Sequence, residues 1–170
     1  MTLRRRIKFI HGFTLIELIL VLAMLVIITS IAVPAMSKFI RGRALESESR
    51  RMLALLRAAQ SRAVSEGMPM MFWIDDKAGA YGFAAETSGQ DGDSKAENLT
   101  VDATLQLAVV NIGSGAQTTF NHLPAIKFLA DGTVDETSPQ TLALQDGDGF
   151  GRWLIETKSR TGYEINSSAK

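Results

Sequence analysis

The chain has 170 residues, with 18 Lys and Arg against 18 Asp and Glu, so it is neutral overall and has room for one modest core but not for two enzyme domains. It contains no Cys, which excludes disulfides, thiolate metal sites, CxxC redox chemistry and a cysteine nucleophile. His11 and His122 are the only histidines, which excludes a histidine-rich zinc site.

Charge is distributed unevenly along the chain. Residues 1–12 carry Arg4, Arg5, Arg6 and Lys8 and no acid. Phe13 to Met36 is almost wholly apolar, with Thr14, Glu17, Thr29 and Ser30 as its polar members. As a helix at ~1.5 Å per residue this block reaches about 36 Å, enough to cross a hydrocarbon core of roughly 30 Å. The basic leader favours a cytoplasmic N-terminus, although Lys38, Arg41 and Arg43 on the far side weaken that bias. Two simple readings are a plain membrane anchor and a secretory signal cut after Ser30-Ile31-Ala32, although the apolar block outruns the usual ~7–15 residue core of a signal peptide. Neither needs Glu17. A carboxylate near the bilayer centre costs ~2.5–3.5 kcal/mol, less close to the interface, and by default marks function.

The run Gly12-Phe13-Thr14-Leu15-Ile16-Glu17 behind a short basic leader resembles the class III signal of type IV pilins and type II secretion pseudopilins. The resemblance implies that a prepilin peptidase cuts between Gly12 and Phe13 and methylates the new N-terminal Phe13. It also implies that Glu17 pairs with the N-terminal amine of a neighbouring subunit, and that Pro34 bends the helix. The physics agrees with the first pairing: a carboxylate in apolar surroundings is costly alone and tolerable facing an amine, so the pair can set the axial register of one helix against the next.

Beyond Pro34, apolar residues recur at helical spacing: Met36, Phe39, Ile40, Leu45, Met52, Leu55, Leu56, Ala59 and Ala63. Gly67-Met68-Pro69 is a helix stop. Residues 37–67 therefore read as an amphipathic helix. Its Lys38, Arg41, Arg43, Arg50, Arg51, Arg57 and Arg62, set against Glu46 and Glu48, read as a membrane-proximal solvated face, with headgroup contact from Lys38, Arg41 and Arg43. The competing reading is a nucleic-acid face.

From Met70 the pattern is strand-like, with runs at 70–75, 80–85, 105–112, 126–129, 141–145, 152–156 and 162–165. Asp76-Lys77-Ala78-Gly79, Gly113-Ser114-Gly115, Asp131-Gly132 and Gly147-Asp148-Gly149 between them are turn chemistry. Residues 87–98 read as a mobile polar loop, and residues 63–170 carry seven basic and fifteen acidic side chains. The fold class expected is α+β: a long N-terminal helix, transmembrane then amphipathic, packed on an antiparallel sheet domain. The boundaries expected are a leader over 1–12, a membrane or filament-core helix over 13–36, an amphipathic helix over 37–67 and a periplasmic sheet domain over 68–170.

Within the pilin-like group, the body is similar to the GspH/FimT family of minor pseudopilins and pilins. The similarity rests on RAAQSRAVSEGMPM, WIDDKAGAYGF, IKFLADGT and GRWLIE. It implies a non-enzymatic subunit of the type II secretion pseudopilus in a bacterial inner membrane, exporting folded proteins across the outer membrane. The partners implied are other pseudopilins, major and minor, prepilin peptidase/methyltransferase, the inner-membrane assembly platform and inner-membrane lipid. The alternative is a FimT-like minor pilin of a type IV pilus, serving assembly, adhesion or DNA uptake. Some FimT-like pilins use a GRxR-like element for DNA; here Gly151-Arg152-Trp153-Leu154 lacks the second Arg, so nucleic acid is not the expected partner. A periplasmic membrane-anchored enzyme is the reading from a different class.

No cofactor or metal is expected. Asp146-Gly147-Asp148-Gly149 and Asp91-Gly92-Asp93 could offer oxygens to calcium, but Phe150 falls where a third ligand is needed, and turns are the better reading. Asp75-Asp76 reads as a hairpin turn, since adjacent strand residues face opposite ways. His122 sits in Asn121-His122-Leu123-Pro124, read as a loop with no GxSxG elbow to accompany it. No phosphate-binding loop occurs. Trp73 and Trp153 read as core or sheet-packing residues, with partner contact as the alternative.

Overall fold

Helix α1 runs from Leu15 to Glu66 in the computed structural model, which describes residues 13–87, 92–112 and 117–168, the side chains at 34, 37, 38, 111 and 112 excepted. The leader with His11 and Gly12, Asp91, and the Gly113–Gly115 turn lie outside the described residues. The chain divides into two units, Met1–Phe39 and Ile40–Lys170. The described part of the first is helix from Leu15 onward, with Leu15–Val33 apolar but for Glu17, Thr29 and Ser30 and none of it buried. The helix assignment passes through Pro34 without a break.

In the second unit the helix buries one stripe: Leu45, Glu48, Ser49, Met52, Leu55, Leu56, Ala59 and Ala63. The spacing is the three-to-four residue period of an amphipathic helix. The stripe begins later than the sequence pattern suggests, because Met36, Phe39 and Ile40 are exposed. Gly67 ends the helix at φ 64°, and the Met68 N–H reaches back to the Ala63 carbonyl at 3.3 Å, a Schellman closure that glycine accommodates without strain.

Nine strands follow: β1 (Met70–Asp75), β2 (Ala80–Ala85), β3 (Glu97–Thr100), β4 (Leu105–Ile112), β5 (Thr119–Phe120), β6 (Leu123–Phe128), β7 (Pro139–Asp146), β8 (Gly151–Glu156) and β9 (Tyr163–Asn166). They form two antiparallel sheets, ordered β3-β2-β1-β6-β5 and β4-β7-β8-β9. Both deliver side chains to the helical stripe: Phe72, Ile74, Tyr81, Phe83, Ile126 and Phe128 from the first, Leu105, Leu107, Leu142, Leu144, Leu154 and Tyr163 from the second. The second sheet closes over the stripe where one sheet would leave it half bare.

β1 is buried on both faces. Phe72 and Ile74 join the main core, while Met71 and Trp73 pack with Ala84, Phe120 and Ala125 on the other side. Trp73 pairs with Gly82 across the ladder and lies over it; a Cβ there would stand 2.7 Å from the indole and 2.2 Å from the Glu97 carbonyl oxygen. Trp153 is half-buried and covers Gly151 in the same way.

Three sequence expectations need correction. Leu123 and Pro124 belong to β6, and only Asn121 and His122 form the turn, both at positive φ as a two-residue hairpin requires. Proline is tolerated because β6 pairs with β1 only from Ala125 onward, so no donor is needed at 124 on that side. The polar loop is shorter than expected, since Glu97 and Asn98 pair with β2. Its Asp93 end is also pinned to the helix.

Candidate functional site

At the start of α1, Thr14 accepts the Glu17 backbone N–H on its Oγ1 at 3.3 Å, and its carbonyl accepts the Leu18 N–H at 3.2 Å. Thr14 is therefore the N-cap and Glu17 the third helical residue, so the TLIE segment serves the helix as well as any assembly role. Phe13 is exposed, and no cation among the described residues comes to the Glu17 carboxylate. Farther along, Thr29 Oγ1 donates to the Leu25 carbonyl at 2.8 Å and Ser30 Oγ to the Ile27 carbonyl at 2.7 Å. Both hydroxyls are satisfied inside the helix, which makes them compatible with an apolar surrounding.

The basic stretch is tied to carboxylates of its own domain. Arg41 pairs with Asp148 at 2.8 Å, Arg50 with Glu46 at 2.8 Å, and Arg51 with Glu48 at 3.5 Å. Glu46 also takes Arg152 at 3.1 Å, and the Arg50 and Arg152 guanidiniums hold its carboxyl below the usual range. Arg57 remains exposed. With Arg152 engaged in this pair, the arrangement gives the nucleic-acid reading no support.

Arg62 makes the densest contact. Its two terminal nitrogens grip both Asp93 oxygens at 2.8 Å, its Nε pairs with Glu66 at 3.1 Å, and its carbon lies 5.9 Å from the Phe83 ring centroid. Asp93 further accepts the Ala85 and Lys95 N–H groups at 2.9 Å, and Lys95 Nζ reaches Glu66 at 2.7 Å. The Arg62 guanidinium, aided by those N–H groups, holds Asp93 well below the usual carboxylate range. This clamp was not expected; the only hint in the sequence is an arginine next to the apolar stripe.

The second surprise is Glu48, buried at the level of Leu45 and Met52. Tyr81 Oη donates to its Oε1 at 2.8 Å, which satisfies the carboxylate inside the core. Burial first, then the Glu48 charge, push the Tyr81 phenol far above its ordinary value. Glu48 falls in register with the apolar stripe, and that register was the available signal.

The acidic turns are turns. Asp146 Oδ1 accepts the Asp148 N–H at 3.0 Å and the Phe150 N–H at 2.9 Å, capping the β7–β8 hairpin. Asp75 does the same for Lys77 and Ala78. Among the described residues no three His, Cys, Asp or Glu side chains come together as a metal group. His122 stands exposed on its two-residue turn. Trp73 is buried in the second cluster.

No curated protein matches the sequence. Among solved structures, the fold is similar to the minor pseudopilin EpsH of the Vibrio cholerae type 2 secretion system, with a TM-score of 0.53 and 14% identity over 74% of this chain and 98% of that one. It is also similar to the type IV minor pilin FimU of Pseudomonas aeruginosa PAO1, with a TM-score of 0.52 and 19% identity over 74% of this chain and 95% of that one. The family model described as type II transport protein GspH matches residues 48–161, from the buried Glu48 to the turn before β9. That match spans the last third of the helix and nearly all of both sheets, and the chain belongs to the GspH family.

Proposed function

We propose that this protein is a minor pseudopilin of a type II secretion system, a structural subunit without an enzymatic step of its own. Leu15–Val33 carries this reading: it is a 19-residue stretch, apolar but for Glu17, Thr29 and Ser30, with none of it buried in the chain, and so needs cover from elsewhere. Lipid supplies that cover before assembly, and the apolar helices of other pseudopilins supply it afterwards. The N-terminus lies on the cytoplasmic side of the inner membrane and the sheet domain in the periplasm. Prepilin peptidase hydrolyses the Gly12–Phe13 bond and Phe13 is methylated. The methylated amine keeps its charge and faces Glu17 of a neighbour, which removes the cost of the lone carboxylate and sets the axial register.

Intact mass of the protein from membranes, with and without the cognate peptidase, tests the processing. A chain beginning at N-methylated Phe13 is expected; one beginning at Val33, or retaining Met1, overturns the reading. Glu17→Gln is expected to be processed normally and to be lost from sheared filaments.

The likeness to FimU favours one second reading, a minor pilin of a type IV pilus. A deletion strain separates the two. Loss of extracellular folded enzymes with normal surface pili supports the secretion role, and the reverse supports the pilus role.

A further inference from the structure

We infer that the tip of the β7–β8 hairpin rests on the membrane surface while the subunit is unassembled, with Phe150 as the residue that enters the headgroup region. The inference rests on Leu15–Val33 being a membrane span, as proposed above.

Phe150 is 62% exposed at the end of the hairpin, next to a turn of Gly147, Asp148 and Gly149 that leaves nothing to shade it. The ring belongs to neither buried cluster, and the hairpin is already capped by Asp146. The tip is held where the helix enters the second unit: Arg41 reaches Asp148 at 2.8 Å, two residues from Phe150. Ile40, beside Arg41, is itself 59% exposed. Arg41 follows Val33 by eight residues, which rise ~12 Å as helix and reach at most ~28 Å in any conformation. Arg41 is thus confined to the neighbourhood of the bilayer surface, and the hairpin tip with it.

The charges fit an anionic lipid surface. Asp148 is neutralised by Arg41, and Asp146 spends its Oδ1 on the Asp148 and Phe150 N–H groups. The two acids of the tip are matched in number by Arg41 and Arg43, so no net negative charge opposes lipid phosphates there. An exposed aromatic ring on a charge-balanced turn suits the boundary between headgroups and acyl chains. Assembly would then have to lift this tip off the surface, so the contact belongs to the membrane-resident subunit.

The chain has no Cys, so a single introduced cysteine can be labelled uniquely. Gly147 tolerates one, because a Cβ there meets nothing within 4 Å. Full-length protein carrying Gly147→Cys, labelled with an environment-sensitive nitrobenzoxadiazole dye, is placed in phosphatidylethanolamine–phosphatidylglycerol vesicles containing lipid spin-labelled at the headgroup. Leu25→Cys reports on the span. Lys158→Cys reports on the turn whose Thr161 carbonyl accepts Gln60, nineteen residues beyond Arg41 along the helix.

The expected result is loss of emission at Gly147→Cys, reduced when Phe150→Ser is added, and no loss at Lys158→Cys. Full emission at Gly147→Cys with Leu25→Cys quenched by deep spin labels overturns the inference and leaves the span intact. Equal quenching with and without Phe150→Ser overturns the role of Phe150. Shielding that appears only when other pseudopilins are added overturns it in favour of a protein partner. Full emission at both Gly147→Cys and Leu25→Cys removes the span and the inference together.

Discussion

Leu15–Val33 and Leu45–Ala63 are stretches of one helix that solve opposite problems. The first is apolar on every side and none of it is buried; the second is apolar along one stripe and buried there by two sheets. A helix uniform around its circumference has no preferred face, so a single charge such as Glu17 becomes its main source of specificity. A helix with one buried stripe takes its specificity from packing, and its charges are free to act as ties: Arg41, Arg62 and Glu46 hold loops and strands to it.

The contrast is tested most severely at the stripe. Phe72→Ala removes a fully buried ring that faces the helix and is expected to cost ~3–5 kcal/mol, read as a lower denaturation midpoint of the full chain in detergent. An equal cost for Leu25→Ala in the exposed apolar segment would erase the distinction.

Arg62→Ala comes next. It leaves Asp93, a buried carboxylate, with only its backbone donors, and is expected to cost ~1.5–3 kcal/mol. Limited proteolysis should then cut after Lys95 before any other site in the sheet domain.

Acid should act on the same clamp. Because Asp93 is held below its unfolded value, its contribution is fully present above pH ~4 and is lost as pH falls below that. The denaturation midpoint of the natural chain should drop more steeply below pH ~4 than that of Arg62→Ala. Parallel curves would assign the acid sensitivity elsewhere.

The smallest effect sharpens the comparison from the other end. Glu17→Gln should change sheet-domain stability by no more than ~0.5 kcal/mol, since its carboxylate touches nothing else described. A clear shift in the domain's denaturation midpoint would mean that Glu17 serves the subunit rather than the filament.

The N-terminal motif on which the proposed processing and register rest is legible because it is written locally. A basic leader, a Gly-Phe junction, an acid five residues in and an uninterrupted apolar run need no tertiary contact to be recognised. The helix stop at Gly67 and the Asp75 and Asp146 turns were equally local, since each is closed by backbone groups within a few residues. The clamp was not legible because Arg62 and Asp93 stand 31 residues apart with a polar loop between them. β3 and β5 escaped for a similar reason: ENLT and TF carry too little alternation to declare themselves and exist only because neighbouring strands pair with them.

Periodicity and turn chemistry act over a few residues, which is why the apolar span, the Glu17 within it, the helix end and most strand positions can be read directly along the chain. The division of the strands into two sheets, the start of burial at Leu45, the placing of Glu48 inside with Tyr81, and the carboxylate that each arginine takes are settled only on folding. Those choices are made by groups far apart in the chain, whose charges and apolar faces have to be satisfied at once when the core closes.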